Sequence, residues 1–134
     1  MTMEQLKRDA VSLIIRTKRL FEEIPQIRID QKSGYLDSNC CGCFFSIIAY
    51  ANRHKLTGQL NKHSLHYVDF FRLTSLSRER DLIEKAIQNL EDYPKKVGDP
   101  DGTSFELWEF YGEKLVKSGR KDFFDSIIKN LEAL

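Results

Sequence analysis

Residues 42–55 read GCFFSIIAYANRHK, and the fold turns on whether that run is a helix or a strand. As a helix, Phe44, Phe45, Ile47, Ile48, Ala49 and Ala51 leave almost no polar face before Asn52. A helix apolar all round belongs at the centre of a bundle. As a strand, the same residues would form the buried middle of a sheet, because a short apolar run does not separate the two by period. The segments on either side carry helical periods, so the run reads as the central helix of an all-α bundle.

Upstream, Met3, Leu6, Ala10, Leu13, Ile14, Phe21 and Ile24 recur at three- and four-residue steps and share one helical face. Thr2 with Gln5 fits a capping box at the helix start, and Pro25 ends it. Residues 26–39 change character. Ile27-Arg28-Ile29-Asp30 alternates, and Lys32-Ser33-Gly34 is turn chemistry, which gives either a short β-hairpin or an ordered loop.

Downstream, Thr57-Gly58 and Asn61 punctuate a connection to a short helix over 64–73, with Leu65, Val68 and Phe71 turned inward. Ser77 reads as the cap of a helix running to Tyr93, striped by Leu82, Ile83, Ala86, Ile87 and Leu90 and stopped by Pro94. Thr103 and Glu106 form a second capping box, opening a helix to Lys117 that carries Phe105, Trp108, Tyr111 and Leu115. Gly119 suits the position after a helix end. A last helix over 121–134 turns Phe123, Phe124, Ile127, Ile128 and Leu131 inward. Short connections favour antiparallel neighbours, so the expected architecture is one domain over 1–134, a compact bundle of five to six helices.

At 134 residues the chain has the size of one domain and needs no disulfide or metal to stabilise its core. Its strongest apolar run, Cys43 to Ala51, is too short to cross a bilayer. The first ten residues carry Glu4, Lys7, Arg8 and Asp9 rather than the apolar block of a signal peptide. Cys40, Cys41 and Cys43, three thiols within four positions, suit a reducing compartment better than a disulfide framework. The expectation is a cytoplasmic protein with no membrane association. Net charge is +1, but residues 51–80 hold six Lys or Arg against two acids, and residues 81–113 hold three Lys against nine acids.

Three readings compete for the cysteine cluster. Cys40 and Cys43 stand two residues apart, as do His63 and His66, and paired ligands at such spacing present two donors to one zinc ion. Zinc is therefore the alternative to a chain without a cofactor. A thiolate of Cys41 or Cys43 at a helix N-terminus would be stabilised by the free amides there and become nucleophilic. Here Cys40-x-x-Cys43-Phe44 is similar to the C-x-x-C-aromatic turn of papain-like peptidases. Cys41-Gly42-Cys43-Phe44 is similar to a step in the peptidases of ubiquitin-like proteins. Both resemblances imply a His base, upstream in one family and far downstream in the other. No His precedes His54 and none follows His66, so neither triad order can be assembled. In the third reading the thiols are small hydrophobes entering a core helix.

Arg53, Lys55, Lys62, Arg72, Arg78 and Arg80 fill the basic middle and could meet nucleic-acid phosphates, or serve as solvated heads or partner contacts. Nine Phe, five Tyr and one Trp are generous for a small helical domain. Phe70, Trp108 and Phe110 are the aromatic candidates for an interface, against a thick core that uses both faces of central helices. No complete catalytic constellation, Walker loop or H-E-x-x-H is present in the sequence. The expected function is a non-catalytic module that binds a protein partner or itself: an adaptor, inhibitor, immunity or accessory subunit.

Overall fold

The computed structural model describes residues 2–23, 28–29, 41–42, 44–56, 66–90 and 121–134, with the backbone alone at 28, 29, 41, 42, 121 and 122. Among them run five α-helices: α1 (Met3–Glu23), α2 (Phe44–Ala51), α3 (Tyr67–Leu73), α4 (Ser77–Gln88) and α5 (Lys121–Glu132). The architecture is an all-α bundle. The expected helix over 103–117, and the stops at Pro25, Pro94 and Gly119, lie outside the described residues.

α1 starts as its sequence dictates. Thr2 Oγ1 accepts from the Gln5 amide at 3.2 Å, and the Gln5 side chain then donates to Asp9 Oδ1 at 3.0 Å. The cap is therefore one-sided, with Gln5 holding the next turn. Leu6, Ala10, Leu13, Ile14, Thr17 and Leu20 are buried along one stripe, while Met3 is half exposed and drops out of it.

The run at 42–55 resolves as a helix, but a shorter one. α2 ends at Ala51, and Arg53–Lys55 tightens into a single 3-10 turn. At this junction the Asn52 main-chain amide is shared between the Ile48 and Ala49 carbonyls at 3.1 and 3.2 Å, and its side-chain Nδ2 also donates to the Ile48 carbonyl at 2.8 Å. Before α2, Arg28–Ile29 (β1) and Cys41–Gly42 (β2) pair as two-residue parallel strands. The extended pair at 28–29 thus exists, but its partner here is parallel and is not the return arm of a hairpin.

α3 and α4 are joined by the tightest connection. The Leu76 amide donates to the Phe71 carbonyl at 2.8 Å and the Ser75 amide to that of Arg72 at 3.2 Å. Ser75 has φ of 59°, completing a Schellman ending with a serine where glycine is usual. Leu76 then occupies the N-cap of α4 and gives no side-chain cap bond, so Ser77 is the first helical residue and not the cap. The helix ends at Gln88, and Leu90 follows it as a half-buried residue against the core.

One apolar cluster joins all five helices. α1 packs on α5, α2 and α4; α4 packs on α5; α3 packs on α2 and α4. The adjacent phenylalanines are absorbed by the central position of α2. Phe44 meets Phe123 and Phe124 of α5 at 5.8 and 6.2 Å between ring centres, while Phe45 meets Tyr67 and Phe71 of α3 at 5.9 and 6.3 Å. Buried apolar area on both sides of α2 is the main force for closure. No helix among the described residues is long and apolar enough to cross a membrane.

Candidate functional site

Of the cysteine cluster, Cys41 lies on β2, and α2 begins at Phe44. Cys40, Cys43 and His63 lie outside the described residues, and Cys41 is described by its backbone alone. His66 is described, and it has structural work. It occupies the N-cap of α3, where Nδ1 accepts from the Val68 amide at 3.2 Å, and its ring lies 4.6 Å from that of Tyr67. A neutral imidazole accepting at Nδ1 carries its proton on Nε2. Zinc ligation by this ring would therefore cost the cap, directly at Nδ1 or through a change of tautomer at Nε2. Among the described residues no group of three His, Cys, Asp or Glu is placed to hold a metal ion.

The basic candidates are dealt to three elements. Arg53 and Lys55 belong to the 3-10 turn, Arg72 to α3, and Arg78 and Arg80 to α4, while Lys62 lies outside the described residues. Arg53 is pinned at the end of α2: Nη1 donates to the Tyr50 carbonyl at 2.9 Å and the guanidinium lies 4.1 Å from the centre of the Tyr50 ring. Arg72 pairs with Asp69 at 3.2 Å and Arg80 with Asp81 at 3.5 Å. Those two carboxylates offset part of the positive field that the sequence offers to phosphates.

Lys55 and Arg78 converge on a residue that sequence reasoning missed. Glu79, in the first turn of α4, is 1% exposed, and its Oε2 has no hydrogen-bond partner. Burial pushes its carboxyl above the usual carboxylate range; a bond from its own main-chain amide works the other way. Asp9 of α1 adds to the rise, and Arg78 and Lys55 oppose it. The signal was present in the spacing, since Glu79 stands three and four residues before Leu82 and Ile83 and so shares their inward stripe.

Phe70 does not serve as an interface aromatic. It is fully buried, 5.2 Å ring to ring from Phe71, because α3 must turn both rings onto α2 and α4 to close the core. Trp108 and Phe110 lie outside the described residues. Among the described residues, the exposed large apolar side chains are Met3 and Ile15 on α1 and Val68 and Leu73 on α3.

On α3 the exposed pair has a definite setting. Positions 68, 69, 72 and 73 are linked by three- and four-residue steps and lie on one face, opposite Phe70 and Phe71. Val68 and Leu73, 42% and 43% exposed, flank the Asp69–Arg72 ion pair. The arrangement offers apolar area together with a cation and an anion, which is contact chemistry rather than reaction chemistry. No family model matches this chain, and no curated protein or solved structure matches it either.

Proposed function

We propose that this chain is a non-catalytic protein-interaction module, acting as an adaptor, inhibitor, immunity or accessory subunit, with the outer face of α3 as its contact surface. One observation carries the reading: a seven-residue helix sinks Phe70 and Phe71 and keeps Val68 and Leu73 in solvent beside an Asp69–Arg72 pair. Exposed apolar side chains set among polar ones, in place of single scattered ones, mark association surfaces. Arginine is enriched at such surfaces because its planar head stacks and forks while its stem covers apolar area.

A photo-crosslinking phenylalanine analogue at position 73, expressed in the native host, tests this directly. A discrete protein adduct, or a self-adduct matched by a dimer in light scattering, supports the reading. A strict monomer that yields no adduct removes it.

A further inference from the structure

Among the described residues, Glu79 is the one acidic side chain buried from solvent. An ionised carboxylate there has given up water without a donor for Oε2, whereas a neutral one leaves only a polar group to accommodate. The seat lies at the base of the stripe Leu82, Ile83 and Ala86, where α4 packs on α1. Three charged groups among the described residues act on it: Asp9 from α1, Lys55 from the 3-10 turn and Arg78 from α4 itself. α3 and α5 add none among the described residues. Asp9 is held in place by the Gln5 amide at 3.0 Å, so it repels a charged Glu79 from a fixed position. Lys55 and Arg78 are both exposed, and both attract a charged Glu79.

We infer that Glu79 is a proton-operated latch on the start of α4. Neutral, its side chain stays turned in and the first turn of α4 is held on α1. On losing its proton to solvent, the carboxylate leaves that seat for water beside Lys55 and Arg78, and the first turn loosens with it. Leu76 gives no side-chain cap to resist the loosening. In sign, the folded chain holds this proton to higher pH than the unfolded chain does. The closed form's advantage is complete below the ordinary glutamate range and is lost as pH rises through the folded-state value.

Hydrogen exchange at the Arg80 amide, which bonds the Leu76 carbonyl at 3.0 Å, reads the latch in the full chain. Protection is compared with that of Glu79→Gln at each pH, from below the ordinary glutamate range to mildly alkaline. The two should agree at the acidic end, and the native chain should lose protection relative to the variant as pH rises through the folded-state value. Parallel profiles overturn the latch. Should the variant fold poorly, the carboxyl carbon shift of Glu79 and exchange at Arg80 in the native chain decide together. A titration midpoint above the ordinary glutamate range with Arg80 protection lost through that same midpoint supports the latch, and a midpoint within that range, or protection that does not follow it, overturns it.

Discussion

The side-chain amide of Asn52 donates to the main-chain carbonyl of Leu13 at 3.3 Å, tying the end of α2 to the middle of α1 inside the core. Thr17 Oγ1 donates to the same carbonyl at 2.8 Å. One backbone oxygen therefore serves two buried side chains from two helices. Asn52 also reaches the Ile48 carbonyl, and its Oδ1 is buried with no partner. Asn52→Ala forfeits two donors' bonds but also removes an unsatisfied acceptor, so the expected net loss is about 1–2 kcal/mol. Thr17→Val keeps the shape and leaves Leu13 bonded to Asn52, so about 1 kcal/mol is expected. Because both residues share Leu13, their effects should not add in a double-mutant cycle by urea unfolding. Strict additivity would show that the shared carbonyl does not couple them.

Phe44 sets the core. It is fully buried and meets Phe45 at 6.4 Å as well as Phe123 and Phe124 of α5. Phe44→Ala removes the ring that lets α2 reach α5, and a loss of about 3–5 kcal/mol is expected from transfer plus cavity. Phe44→Leu should recover more than half of it. The unfolding midpoint in urea, at unchanged m-value, checks both.

Much of this was legible because helical period reports burial directly. The stripes Leu6–Ala10–Leu13–Ile14 and Leu82–Ile83–Ala86–Ile87 appear in the structure as buried faces, and Thr2 caps α1 as its spacing with Gln5 required. Met3 and Val68, expected inward, are exposed at helix N-termini, and the buried residues that escaped were polar. Thr17 and Glu79 fall on buried stripes although their side chains are polar, and hydropathy alone hides the position they occupy. Asn52 ties the end of α2 to Leu13, thirty-nine positions away, through a contact that no local window contains. The pairing of Arg28 with Cys41 is likewise non-local. The cysteine cluster was legible as a peculiarity but not as a site, since its meaning depends on which side chains the fold brings to it.

Ser75 completes the ending of α3 with φ of 59°, a region that costs an L-residue roughly 1–2 kcal/mol and glycine almost nothing. Ser75→Gly should relieve that cost, offset in part by the greater freedom of glycine in the unfolded chain. The expected outcome is a gain of up to about 1 kcal/mol, read as a higher thermal midpoint. Ser75→Val should lower it, because a β-branched side chain tolerates this backbone least. A midpoint lowered by glycine would contradict the strain assigned here.

Lys18 Nζ meets Asp125 Oδ1 at 3.0 Å, linking α1 to α5 across the surface. Asp125 is 58% exposed and Lys18 25%, so water screens the pair and only about 0.2–1 kcal/mol is expected from it. Lys18→Met, which keeps the apolar stem, should cost that much at low salt and less at high salt. A loss that persists at high salt would assign the effect to packing of the stem instead.

The outer face of α3 gives the sharpest test of the proposed role. Val68 and Leu73 lie outside the core cluster, so Val68→Asp and Leu73→Asp should leave stability within about 0.5 kcal/mol. Contact with a partner, or with a second copy, should weaken by at least about tenfold, the 1.4 kcal/mol scale that loss of an interface anchor exceeds. Arg72→Ala should act in the same direction, because it removes the cation between them while leaving Asp69 exposed. A surface substitution elsewhere, such as Arg19→Ala on α1, provides the comparison. If Val68→Asp and Arg72→Ala, each carrying the analogue at position 73, keep both the fold and the crosslink, the contact surface lies on another face. If they lose the crosslink with the helical circular dichroism unchanged, α3 is assigned as the element through which this chain acts.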